Sequence, residues 1–188
     1  TDDIAYEFMG RRTTYAQLLA RIDRAALALM RLGIGKGDRV TICMPNTPQA
    51  VDCFYALSRI GAVSNMIHPL SALQEITFYL DQSDSKAILT LDRFYGKVLA
   101  AAQRAKKKPL LLVARLEDEL SLPMRLGFAL TEAKKYPKLP KNGEYRLWSE
   151  ALKQADGILP APDDDYAACA CILYSGGTTG TTKGICLS

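Results

Sequence analysis

The chain has 188 residues, 48% of them apolar and 23% charged, with a formal net charge of +4 at pH 7. That mix can bury a core, and its mild basicity does not by itself demand nucleic acid or a membrane as partner. No apolar run is long enough to span a bilayer, and the opening Thr1-Asp2-Asp3 shows no signal-peptide pattern.

Tyr15, Leu18, Leu19, Ile22, Ala26, Leu29 and Met30 recur at the helical period and predict a helix over 15–32. Thr14 and Gln17 have capping-box spacing, and Gly33 marks the stop. Gly35, Gly37 and Asp38 turn the chain into a predicted strand, Arg39 to Met44. Thr47 is placed to cap a helix that starts at Pro48, turns Val51, Phe54, Tyr55 and Ser58 inward, and ends at Gly61. A strand over 62–67 follows, then a helix opened by Ser71 and Gln74 that carries Ile76, Tyr79 and Leu80. Lys86 to Leu91 predicts a strand, Arg93 to Arg104 a helix, and Leu110 to Ala114 another strand. Strands that recur about every 24 residues with helices between them are the pattern of right-handed βαβ units. The fold class is therefore α/β, in layered βαβ units with a mostly parallel sheet covered by helices.

Three regions follow: a βαβ core over about 1–115, a surface excursion over 116–165, and a strand with a glycine-rich loop over 166–188. In the excursion, Met124, Phe128 and Leu130 mark a short helix between Pro123 and Pro137, with Lys134, Lys135, Lys138, Lys141 and Arg146 around it. The plainer reading is packing on the domain surface. The sharper one is a peripheral membrane or partner contact, because basic residues flank an apolar face. Arg104 and Lys106 to Lys108 suit the negative end of a helix better than nucleic acid, since no aromatic residues interleave them.

Cys43, Cys53, Cys169, Cys171 and Cys186 form no CxxC pair, and His68 is the only histidine. Reduced, core-filling thiols in a cytoplasmic protein are expected, with no metal site and no histidine-based triad. His68, just before Pro69 at a strand end, reads as a structural or surface residue.

The chemistry concentrates at the end. Ala167 to Leu173 predicts a buried strand that delivers the chain into Tyr174-Ser175-Gly176-Gly177-Thr178-Thr179-Gly180-Thr181-Thr182-Lys183-Gly184. Glycines let backbone N–H groups converge on phosphate oxygens, hydroxyls add donors, and Lys183 adds a positive charge. Each hydrogen bond to a charged group contributes about 1.5–3 kcal/mol, so a few can hold a polyphosphate tail. Thr182 before Lys183 and Gly184 after it exclude a Walker A loop. The glycine spacing also excludes a dinucleotide fingerprint.

This stretch resembles the phosphate-binding signature of the adenylate-forming enzymes, Tyr-Thr-Ser-Gly-Thr-Thr-Gly-x-Pro-Lys-Gly. Gly176 stands where that signature has serine, and Thr182 where it has proline. Thr14 to Leu18, Leu32 to Val40, Met44-Pro45-Asn46, Ile60 to Val63 and His68-Pro69-Leu70 follow in the family's order and look most like acyl-CoA synthetases.

The resemblance implies a large N-terminal domain of an enzyme that joins a carboxylic acid, fatty or aryl, to ATP and then to coenzyme A, with Mg²⁺. It also implies that Ser175, Gly176, Gly177, Thr178, Thr179, Gly180 and Lys183 bind the ATP phosphates. Catalytic, adenine and metal-binding residues are expected outside this chain, which alone is expected not to turn over. Other readings are an amino-acid-activating or luciferase-like enzyme, or a non-catalytic nucleotide-binding module.

Overall fold

A computed structural model describes residues 2–132, 136–141, 143–161, 165, 167–175 and 182–188. The chain opens with a hairpin of β1 (Ile4–Phe8) and β2 (Arg11–Thr14). Met9 and Gly10 both take positive φ, 49° and 76°, the mirror-image turn that matches strand twist in a two-residue hairpin.

Helix α1 (Tyr15–Arg31) starts at a complete capping box. The Gln17 N–H donates to Thr14 Oγ1 at 3.3 Å, and the Thr14 N–H donates to Gln17 Oε1 at 3.0 Å. Ile22, Ala25, Ala26, Ala28 and Leu29 are its buried face. Tyr15, Leu19 and Met30, expected on that stripe, are exposed. The small alanines let α1 lie close on its neighbours, and the larger side chains sit at the stripe's edge.

A seven-stranded sheet forms the centre. It contains β3 (Arg39–Cys43), β4 (Val63–Ile67), β5 (Ala87–Leu91), β6 (Leu110–Ala114), β7 (Arg146–Leu147), β8 (Cys171–Ser175) and β9 (Lys183–Leu187), in the order β7-β6-β5-β3-β4-β8-β9. All neighbouring pairs are parallel except β8 with β9. This is the α/β architecture that the strand spacing predicts.

Helices α2 (Pro48–Arg59), α3 (Leu73–Ser83), α4 (Tyr95–Arg104), α5 (Leu122–Thr131) and α6 (Trp148–Lys153) complete the α-helices among the described residues. Each central strand feeds both sides of the sheet by alternation. Val40 and Ile42, Ala87, Leu89 and Leu91, and Leu112 and Ala114 pack with α1, α2 and Trp148 of α6. Cys43, Ile88, Leu111 and Val113 pack with α3 and α4 on the opposite face.

Local details differ from the sequence reading in instructive ways. Pro48, Gln49, Ala50, Asp52, Cys53, Ala56 and Leu57 are the buried residues of α2, while Tyr55 and Ser58 are exposed. Thr47 precedes α2 but makes no side-chain cap; its Oγ1 is buried without a hydrogen-bond partner. Helix α3 is entered at Ala72 rather than Ser71, because the Glu75 carboxylate accepts from the Ala72 N–H at 2.9 Å.

The stretch expected as a surface excursion contributes to the core. Strand β7 extends the sheet beside β6, and Trp148 is only 2% exposed. The strand expected over 167–173 begins instead at Cys171, since Asp165 holds a turn by accepting from the Ala167 and Ala168 N–H groups. Leu173 is 42% exposed, so β8 is not a buried strand.

Two polar groups lie inside this frame. On β3, β4 and the end of α3, the Asn65 amide donates to Thr41 Oγ1 at 2.8 Å and Ser83 Oγ at 3.0 Å. The Ser85 hydroxyl closes the group, 2.6 Å from Thr41 and 2.7 Å from Ser83. Elsewhere, Arg21 of α1 donates to Asp52 of α2 at 2.9 Å and to both Glu119 oxygens at 3.0 and 2.7 Å. Burial opposes charge on Arg21, yet its bonds to Glu119 and Asp52 hold it above the ordinary guanidinium range. Burial likewise pushes the Asp52 carboxyl up, more than Arg21 pulls it down.

Candidate functional site: a hairpin at the carboxyl edge of the sheet

Strands β8 and β9 form an antiparallel hairpin in which Ser175 is paired with Lys183 and Tyr174 with Gly184. Ser175 and Lys183 therefore stand side by side where the chain leaves β8 and enters β9, both exposed. Because β8 runs parallel to β4, Ser175 lies at the edge of the sheet where the carboxyl ends of β3 to β6 also emerge. That edge is where ligands of open α/β sheets bind. Gly176, Gly177, Thr178, Thr179 and Gly180 lie outside the described residues.

The hairpin is tied to the body of the protein by Tyr174. Its ring stacks on Tyr79 of α3 with centroids 4.1 Å apart. Its hydroxyl donates to the Tyr79 carbonyl at 3.5 Å. Burial pushes the Tyr174 phenol up, partly offset by hydrogen bonding to Ser83 and Asn65. The buried serine–asparagine–threonine group therefore backs the first residue of the glycine-rich stretch. Sequence reading missed Tyr79, Asn65 and Ser83 here, since they lie about 90 to 110 positions upstream of the loop. Only the small polar residues inside otherwise apolar strand and helix patterns hinted at them.

A second feature sits at the strand-order reversal. The chain leaves β3 through α2 on one face and leaves β5 through α4 on the other. Between these strand ends is an open crevice of about 290 Å³, lined by Met9, Pro45, Asn46, Leu91, Phe94 and Tyr136 among others. Next to it, burial pushes the Asp92 carboxyl up to about 6, opposed by the Arg93 N–H that it accepts at 2.9 Å.

Other singled-out residues are structural. The exposed His68 accepts the Leu70 N–H through Nδ1 at 3.2 Å. The five cysteines are free, and burial pushes the Cys43 thiol up to about 12. Among the described residues, no three His, Cys, Asp or Glu side chains gather as a metal site. No described helix is long and apolar enough to cross a membrane.

Comparison with known proteins places these features in a family. The family model described as "AMP-binding enzyme" matches residues 1–188. A long-chain-fatty-acid–CoA ligase of Bacillus subtilis (strain 168) is 29% identical over 196 residues, covering 100% of this chain and 34% of the relative. An acetyl-coenzyme A synthetase of Streptomyces avermitilis is 29% identical over 199 residues, covering 98% of this chain and 28% of the relative. The solved structure of the anthranilate CoA ligase AuaEII with anthranoyl-AMP shares the fold at a TM-score of 0.79. It is 18% identical, and the match covers 98% of this chain and 31% of that one. The chain spans about a third or less of the length of the relatives it matches. With the strand order, the Ser175–Lys183 hairpin and a match along its full length, the chain belongs to the AMP-binding enzyme family.

Proposed function

We propose that this chain supplies the triphosphate-gripping part of a cytoplasmic enzyme that activates a carboxylic acid, fatty or aryl, with ATP and transfers it to coenzyme A. In the first step a carboxylate oxygen attacks the α-phosphorus, the bond to the bridging oxygen breaks, and pyrophosphate leaves. In the second, the coenzyme A thiol attacks the acyl carbonyl and AMP departs. Ser175 and Lys183 would act on the leaving group: the hydroxyl donates to a phosphate oxygen, and the ammonium offsets charge as pyrophosphate separates. The backbone amides of Gly176, Gly177 and Gly180 and the hydroxyls of Thr178 and Thr179 would complete the grip. Mg²⁺ would supply further charge neutralisation, but the described residues build no ligand set for it, and no step assigned to this chain runs through it.

The observation that carries the reading is the register of Ser175 opposite Lys183 at the carboxyl edge, within a chain that matches the family along its whole length. The test is an NMR titration of the 188-residue chain with inorganic tripolyphosphate and with ATP. Saturable shifts at the Ser175 and Lys183 amides are expected with both ligands. Unmoved amides at both positions would remove the phosphate role. Carboxylate-dependent exchange of pyrophosphate into ATP, measured on the enzyme carrying this chain across acids of graded length, identifies the substrate class. Exchange that responds only to amino acids would replace the acyl-CoA reading by an amino-acid-activating one.

A further inference from the structure

The buried hydroxyls around Asn65 have a fixed direction, set by counting protons. The Ser83 hydroxyl gives its one proton to the Tyr79 carbonyl at 2.7 Å, so its oxygen only accepts. Ser85, 2.7 Å away, must then donate to Ser83, and Thr41, 2.6 Å from Ser85, must donate to Ser85. Both Asn65 N–H groups feed this line, one at Thr41 and one at Ser83. None of the four residues is more than 4% exposed, so water does not compete for these bonds.

The line ends at the hairpin. The Tyr79 carbonyl that takes the Ser83 proton also accepts from the Tyr174 hydroxyl, at 3.5 Å. That distance is the long limit of a hydrogen bond, so this carbonyl alone holds the phenol weakly. The Ser83 and Asn65 side chains reach the phenol oxygen as well and complete its surroundings. Tyr174 is half-buried and Ser175 exposed, as strand alternation requires, so the phenol points away from the edge where Ser175 and Lys183 stand. The hydroxyl is thus placed to hold the hairpin rather than to touch a ligand.

We propose that Asn65 and Ser83 are positioning residues of the phosphate grip, acting through the Tyr174 hydroxyl to fix where Ser175 and Lys183 stand. The inference rests on the phosphate reading of those two residues. Hydrogen bonds to a charged ligand lose strength when their donors are displaced by about half an ångström, so a fixed ring keeps the donor beside it in place. Asn65 pairs with Ile172, three strand positions and about 10 Å from Ser175, too far to meet the ligand itself. Its effect on binding is therefore a coupling, and coupling is reciprocal: the network tightens phosphate binding, and phosphate binding is felt at the Asn65 amide. A group that served only the fold would show neither effect in a variant that stays folded.

The test is an NMR titration of the chain with tripolyphosphate, read at the Ser175 and Lys183 backbone amides and at the Asn65 side-chain amide. In the parent chain all three are expected to move with one midpoint. Tyr174→Phe keeps the ring and its stacking and removes only the hydroxyl. It is expected to weaken binding about three- to tenfold, the worth of one hydrogen bond, and to leave the Asn65 amide still while Ser175 and Lys183 titrate. Ser83→Ala is expected to weaken binding by a similar factor, and the double variant by no more than either change alone, because both act through one path. Circular dichroism shows beforehand that each variant is folded; where Ser83→Ala is not, Tyr174→Phe decides. Parent-like affinity in Tyr174→Phe overturns the proposal, as does a silent Asn65 amide in a parent chain whose Ser175 and Lys183 titrate, or losses that multiply in the double variant. Unmoved Ser175 and Lys183 amides in the parent chain would instead remove the phosphate reading, and the positioning role with it.

Discussion

Gly184 faces Tyr174 across the β8–β9 hairpin so closely that a Cβ on the glycine would lie 3.3 Å from the ring's Cε1 and 3.2 Å from Ile172 Cγ2. The tyrosine cannot easily retreat, because Tyr79 stacks on it. Glycine at this position is thus a packing requirement of the ring that anchors the hairpin. Gly184→Val is expected to destabilise the chain by about 1–3 kcal/mol, the range for overpacking, and to weaken tripolyphosphate binding. Urea unfolding and the NMR titration check the two effects; an unchanged midpoint would show that the ring gives way freely.

Lys183 is exposed at the first position of β9, opposite Ser175. Its replacement by alanine is expected to leave stability within about 0.5 kcal/mol of the parent chain. Tripolyphosphate affinity is expected to fall about tenfold or more, from the loss of one charged hydrogen bond. Affinity that does not change would take Lys183 out of its assigned role.

The Arg21 ion group gives a larger effect. Asp52 and Glu119 keep only 3% and 9% of their side chains exposed, and Arg21 is the cation bridging both. Arg21→Met is expected to cost about 3–5 kcal/mol at neutral pH, because two buried carboxylates lose their partner. The deficit should shrink on acidification, as the Asp52 carboxyl, pushed up by burial, takes up a proton in the folded state. Urea midpoints at several pH values test both the size and the trend.

Asp92 sets a pH dependence of its own. Its folded pKa is raised to about 6 against an ordinary carboxylate value near 4, so the folded state binds a proton more readily than the unfolded chain. Its contribution to stability is therefore full below about pH 4 and is lost as pH rises to about 6. Asp92→Asn keeps the acceptor for the Arg93 N–H and is expected to flatten that slope, with higher stability than the parent at pH 7.5 and no gain at pH 4. Parallel slopes for the two proteins would contradict the assignment.

Trp148 is the only tryptophan and lies in the core beside the α1–α2 face. Trp148→Ala is expected to destabilise by about 3–5 kcal/mol through the cavity it leaves. In the parent chain, its fluorescence should report the same transition as far-ultraviolet circular dichroism, since α6 is docked on the main core rather than on a separate unit.

The central sheet was readable because its strands and helices announce themselves by period: Val40 and Ile42, Leu89 and Leu91, and the α1 stripe around Ile22, Ala26 and Leu29. The β1–β2 hairpin was not, since its turn uses Met9-Gly10 in place of the Asn-Gly or Asp-Gly that signals such a turn. Strand β7 is two residues long and carries no period at all, so the burial of Trp148 behind it depends on tertiary pairing with β6. At the site, the glycine, hydroxyl and lysine chemistry was visible as a local string. The pairing of Ser175 with Lys183 fits that string. The stacking of Tyr79 under Tyr174 joins distant segments and has no local signature.

The hydroxyl–amide cluster around Asn65 has a consequence for how the sheet assembles. Residues Thr41 and Asn65 are direct partners in the parallel ladder between β3 and β4. Sliding β3 by a single residue would put Val40 or Ile42 in place of Thr41 and take that hydroxyl away from the buried Asn65 amide. The four polar side chains thus work as an alignment key, accepting one pairing of the two strands and penalising its neighbours before the outer strands add on.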